Sequence, residues 1–89
     1  MVWSIEYDKL VRKQVEKLDP QIQKRIHSFL HERLVKLENP RQTGQAMQGS
    51  RFGKFWRYRV GDYRIICDIQ DYRLVILVVE LDHRKQAYR

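Results

Sequence analysis

The stretch Lys54-Phe55-Trp56-Arg57-Tyr58-Arg59-Val60-Gly61-Asp62-Tyr63-Arg64-Ile65-Ile66-Cys67-Asp68-Ile69 decides how this chain folds. On both sides of Gly61-Asp62 the residues switch to the two-residue period of strands with one buried face. Gly61-Asp62 suits a two-residue hairpin turn, where glycine tolerates the positive φ that such turns require. With the turn placed there, Val60 pairs with Tyr63 and Arg59 with Arg64. The pleat then sends Trp56, Tyr58, Val60, Tyr63, Ile65 and Cys67 to one face, and Arg57, Arg59 and Arg64 to the other.

Working outward, a second tight turn around Asp71-Tyr72 leads into residues 74–81, whose nearly continuous apolar character suits a central strand covered on both faces. A polar, basic tail follows from His83. On the other side, residues 41–53 turn to Gln, Thr, Gly and Ser without periodicity and predict a loop. Before it, Ile22, Ile26, Phe29, Leu30, Leu34 and Leu37 recur at three- and four-residue steps as one helical stripe. Asp19-Pro20 opens that helix and Asn39-Pro40 closes it. Leu10, Val11, Val15 and Leu18 predict a shorter amphipathic helix capped by Asp8. Residues 2–7 alternate, with Trp3, Ile5 and Tyr7 on one side, and predict a first strand. Strand, helical hairpin and a three-strand antiparallel meander make an α+β fold with both helices on one face of the sheet.

A chain of 89 residues has room for one hydrophobic core, so a single domain over 1–89 is expected. Hydrophobic residues at 43% exclude a disordered tail. Lys+Arg 18 against Asp+Glu 11 leave a net charge of +7, which points to polyanions or acidic proteins as partners. The longest apolar run, residues 74–79, falls far short of the roughly 20 residues that span a bilayer, so no membrane association is expected. Glu6 and Asp8 stand where a secretory signal would be basic and then apolar, so the cytoplasm is the expected compartment. Cys67 is the sole cysteine, which precludes an internal disulfide and a cysteine-based zinc site within one chain.

The chemistry concentrates between Arg51 and Arg64. Arg51, Lys54, Arg57, Arg59 and Arg64 are interleaved with aromatic residues, and Asp62 is the only acid among them. Cations meet phosphates while rings stack on unpaired bases, so the pattern suits a nucleic acid. Three like charges on one small patch are unfavourable without a counter-anion, which implies an anion there. The bland alternative is a solvated basic face that only keeps the protein in solution. Directly after the central strand come His83, Arg84 and Tyr88, a potential proton carrier, a cation and a hydroxyl whose proton nearby cations could loosen. Their ordinary roles would be surface exposure and packing on the helices.

Other candidates are weaker. His27 and His31 have a helical metal-binding spacing but no third ligand. Cys67 falls on the core face, as an inert thiol would. The acids Asp62, Asp68, Asp71, Glu80 and Asp82 do not gather as a magnesium site. No Gly-rich phosphate loop occurs, and neither metal nor cofactor is expected.

The segment from Lys54 to Ile66 and the tail His83-Arg84-Lys85-Gln86-Ala87-Tyr88-Arg89 resemble the RelE/ParE family of bacterial toxins, over essentially the whole chain. The resemblance implies a toxin paired with an antitoxin and, in the RelE branch, a nuclease that cuts messenger RNA in the ribosomal A site without a metal. The working positions of that branch resemble Arg57, Arg59, Arg64, Arg84 and Tyr88 here. Where RelE has two lysines on the strand, this chain has Phe55 and Arg57, with Lys54 displaced by one position. Catalysis would then rest on Arg57, Arg64, Arg84 and Tyr88, with Lys54, Arg59, Arg51 and His83 binding RNA. Tyr88, His83 and Lys54 remain alternatives for the general base. A ParE-like toxin that inhibits DNA gyrase without catalysis is the second reading. The implied partners are an acidic antitoxin that wraps the toxin and mRNA on the ribosome; the resemblance also admits operator DNA as a target of the toxin–antitoxin complex.

Overall fold

A computed structural model describes residues 2–47 and 54–83. The chain runs through β1 (Ser4–Tyr7), α1 (Lys9–Glu16), α2 (Pro20–Ser28), β2 (Gln45–Ala46), β3 (Trp56–Val60), β4 (Tyr63–Gln70) and β5 (Val75–His83). Asp8 caps α1, its carboxylate accepting from the Leu10 N–H at 3.2 Å, and Asp19 caps α2 by accepting from Gln21 N–H at 2.9 Å. Pro20 occupies the first turn of α2, where its missing donor costs nothing.

The expected meander is present as β3, β4 and β5, but it lies within a larger sheet. Five strands run in the order β1-β5-β4-β3-β2, with β1 parallel to β5 and all other pairs antiparallel. The second strand falls inside the stretch read as a loop: Pro40–Thr43 makes a 3₁₀ turn, and Gln45–Ala46 then pairs with Arg57 and Trp56. Two residues are too few to display an alternation.

The second helix also departs from its expected form. After Ser28 it widens into a π turn over Phe29–Arg33 and tightens into a 3₁₀ turn over Leu34–Lys36. Ile26, Leu30 and Leu34 nevertheless stay buried on one line. In α1, Val11 is buried while Leu10 is 71% exposed, because the seam runs through Val11, Val15 and Leu18.

Val11, Ile26, Leu30 and Leu34 pack with Tyr58, Ile65, Cys67, Ile69, Ile76, Val78 and Leu81, so both helices cover one face of the sheet. A β-bulge separates the Ile66–Glu80 pair from the Cys67–Val78 pair. Plain alternation from Ile76 and Val78 would drive Glu80 and Asp82 into the core. The extra residue, Val79, reverses the phase, puts Leu81 inside and releases the two acids to the opposite face. Among the described residues no helix is long and apolar enough to cross a membrane.

Candidate nucleic-acid interface

Gly61 adopts φ +58° in the β3–β4 turn, the left-handed conformation expected of a hairpin glycine. The register that follows pairs Val60 with Tyr63, Arg59 with Arg64, Tyr58 with Ile65, Arg57 with Ile66 and Trp56 with Cys67. Tyr58, Ile65 and Cys67 are therefore buried beneath the helices, and Arg57, Arg59 and Arg64 belong to the opposite face by alternation. Buried Ile66 shares that face and gives it an apolar floor between the arginines.

Arg59 and Arg64 stand directly across from each other, a spacing of about 5 Å between β-carbons, and Arg57 lies two residues along the same strand. The guanidinium of Arg57 donates to Gln45 Oε1 on β2. The Nε atoms of Arg57 and Arg64 are shielded from solvent and have no hydrogen-bond partner among the described residues. Asp82 is the register partner of Arg64, and Glu80 that of Ile66. Among the described residues the ion pairs are Arg41–Asp71 and Arg73–Glu6, so neither acid neutralises an arginine of this face at pairing distance. An N–H kept from water without an acceptor is costly.

Lys54 is exposed, its Nζ 5.9 Å from the centre of the Phe55 ring. At the far end of the hairpin His83 is the register partner of Tyr63, and their rings meet edge to face at 5.0 Å. Arg51, Arg84 and Tyr88 lie outside the described residues. Cys67 is fully buried and burial pushes its thiol far up, which makes it an inert core residue. His27 and His31 stack face to face, 4.2 Å between ring centres, and His31 Nε2 is hydrogen-bonded to the Tyr7 hydroxyl at 2.9 Å. No group of three metal-ligating side chains occurs among the described residues.

The second half of the basic surface escaped the sequence reading. Lys24, Arg25 and Arg33, exposed on α2 and the π turn, line a cleft of about 610 Å³ together with Arg59, Phe29 and the β3–β4 turn. Beyond Arg57 strand β3 has no strand partner on its outer side among the described residues, since β2 pairs only with Trp56 and Arg57, so the cleft opens along a free edge. The helical spacing of residues 24, 25, 28, 29 and 33 was the available signal. It needed the knowledge that this side of α2 borders β3.

A family model describing the ParE toxin of the type II toxin–antitoxin system parDE matches residues 5–88. Among solved structures, the chain is similar to the toxin–antitoxin complex RelBE2 of Mycobacterium tuberculosis, with 21% identity over 94% of this chain and 93% of that chain and a TM-score of 0.83. It is also similar to the archaeal RelE–RelB complex of Pyrococcus horikoshii OT3, with 26% identity, coverage of 94% and 97% and a TM-score of 0.75. The isolated E. coli RelE toxin gives 14% identity, coverage of 91% and 83% and a TM-score of 0.71. No protein of curated function matches the sequence significantly.

Proposed function

The chain belongs to the ParE toxin family of type II toxin–antitoxin systems, within the RelE/ParE superfamily, and from that premise we propose that it is a ribosome-dependent endoribonuclease that cuts mRNA in the A site. One observation carries the reading: Arg57, Arg59 and Arg64 share one face with no carboxylate paired to any of the three among the described residues, and the Nε–H groups of Arg57 and Arg64 have no acceptor there. An inhibitor that works by contact alone has no use for three such uncompensated cations on one face.

The reaction needs no metal. The ribose 2′-oxygen attacks its own phosphorus, the bond from phosphorus to the 5′-oxygen breaks, and a 2′,3′-cyclic phosphate and a 5′-hydroxyl result. One proton leaves the 2′-hydroxyl for a base, and one reaches the departing 5′-oxygen. Negative charge builds on the phosphoryl oxygens, where Arg57 and Arg64 would bind; losing one such donor costs on the order of a hundredfold in rate. Arginine stays protonated, so the base falls to another group. In this reading Arg84 completes the cation set and Tyr88 accepts the proton, with His83 and Lys54 as alternatives; Arg51 and Arg59 hold the flanking RNA. The ribosome would supply orientation that so sparse a site lacks.

A cognate antitoxin with an acidic extended segment is the partner that a +7 chain with free strand edges invites, and the M. tuberculosis, P. horikoshii and Methanococcus jannaschii neighbours are themselves toxin–antitoxin complexes. The second reading, a gyrase inhibitor, is favoured by the family model, which carries the ParE name.

Mapping mRNA ends after induction separates the two. Codon-phased cuts within translated regions, lost in Arg64→Ala, bear out the nuclease. DNA-damage signalling with intact messages would replace it with the gyrase reading.

A further inference from the structure

We propose that the cleft between α2 and the free edge of β3 is a second RNA-backbone site, separate from the Arg57–Arg64 face and continuous with it through Arg59. The inference deepens the nuclease reading and rests on it only for the identity of the RNA as mRNA or ribosomal RNA.

Lys24, Arg25, Arg33 and Arg59 all line the cleft, all are exposed, and no acid among the described residues lines it. None of the four forms an ion pair among the described residues. Such crowding of like charge has no internal compensation. A β-carbon on Gly61 would sit 3.1 Å from Arg25 Nη1, so the guanidinium lies close against the turn. There it walls the cleft off from a smaller pocket of about 100 Å³ bordered by Asp62, Tyr63 and His83.

Two features favour nucleic acid over an acidic peptide. By register Arg59 belongs with Arg57 and Arg64, yet it also lines the cleft, so the six cations form one track around the β3 edge. The cleft end of that track has no carboxylate in its lining, and a run of one sign matches a polymer with a charge on every unit. Phe29 lies in the same cleft, and a ring beside cations is the arrangement on which unpaired bases stack. An acidic peptide, by contrast, would use the unpaired N–H and C=O groups of β3 and would not require three further cations on the helix side.

The test uses the full chain and a 2′-O-methyl single-stranded RNA of about 12 nucleotides, which cannot be cut and matches the span of a basic groove. In Lys24→Gln/Arg33→Gln, affinity should fall about tenfold or more, and the slope of log affinity against log salt should flatten by about 1.4, roughly 0.7 for each phosphate that the variant no longer neutralises. An unchanged melting temperature keeps folding out of the result. Should the double variant melt early, each single variant carries the same test at half the slope change. Parental affinity and slope in the variants would overturn the site, whatever Arg57→Ala does. So would a loss confined to binding of a polyglutamate peptide, which would assign the cleft to an acidic chain. Because the probe is uncleavable, RNA binding through the cleft by a chain that leaves ribosomal mRNA intact would retain this site and discard only the nuclease.

Discussion

Arg59 and Arg64 are direct register partners across the β3–β4 ladder, two cations facing each other where a sheet built for stability would place opposite charges. The pairing costs stability in the free protein and supplies charge density to an anion. Removing one partner should therefore separate the two quantities. Arg64→Gln relieves the like-charge pair with Arg59 and gives up the register partner Asp82 on the other side, so urea unfolding should change by less than about 0.5 kcal/mol, while mRNA cleavage falls about a hundredfold. If stability and activity fell together, Arg64 would be a structural residue and its placement in the site would be wrong.

Tyr58 tests the support beneath that face. Its ring is buried, its hydroxyl donates to the Pro40 carbonyl at 2.7 Å, and burial holds the phenol protonated at any ordinary pH. Tyr58→Phe leaves a buried carbonyl without its donor and should cost about 1–2 kcal/mol. Gly44 lies against the same ring: a β-carbon there would come within 2.8 Å of Tyr58 Cε1 and 2.9 Å of Cζ. Gly44→Ala should destabilise by about 1–3 kcal/mol through overpacking, and Tyr58→Phe will not rescue it because both ring carbons remain. Chemical denaturation of the two single variants and the double decides this; rescue in the double would refute the clash.

The Arg41–Asp71 pair is bidentate, with contacts of 3.1 and 2.6 Å, and ties the 3₁₀ turn before β2 to the β4–β5 turn. The Arg41 hydrogen bond lowers the Asp71 pKa. A lowered carboxylate contributes stability above its ordinary value of 3.8, and that contribution disappears as pH falls through the folded value. Both partners are solvated, so the contribution stays small. Asp71→Asn should cost no more than about 1 kcal/mol, and less in high salt, by thermal melts at two ionic strengths. A larger, salt-independent loss would mean that the turn itself needs Asp71.

How much of this was legible follows from range. The Arg57–Arg59–Arg64 face was readable because a two-residue period and one turn fix it locally: once Gly61-Asp62 is the turn, every partner follows. The cap residues Asp8 and Asp19 were readable for the same reason. Glu80 and Asp82 on the basic face were not, since their side depends on a bulge that only the pairing of β4 with β5 reveals. Nor was β2, which is too short to carry a period and exists because Gln45 and Ala46 meet β3. Lys24, Arg25 and Arg33 are ordinary helix-surface cations until tertiary packing sets α2 beside the open edge of β3. Arg51, from the basic stretch interleaved with aromatics, and Arg84 and Tyr88, from the tail and the family resemblance, remain proposals.

The Tyr7–His31–His27 cluster predicts a pH dependence unrelated to the basic face. Burial lowers the His31 pKa below its ordinary 6.5, and the neighbouring His27 lowers it further. His31 stacks on His27 and is hydrogen-bonded through Nε2 to the Tyr7 hydroxyl of β1. The unfolded chain therefore binds a proton more readily than the folded one between the lowered value and 6.5, and stability rises with pH across that window. The stabilisation is complete above 6.5 and is lost on acidification, when a charge must arise on the half-buried His31 ring beside His27. Unfolding free energy measured at half-unit pH steps should decline below neutrality in the parent chain, and the decline should be reduced in His27→Ala and absent in His31→Gln. A His31→Gln chain that kept the parental slope would place the titrating group elsewhere.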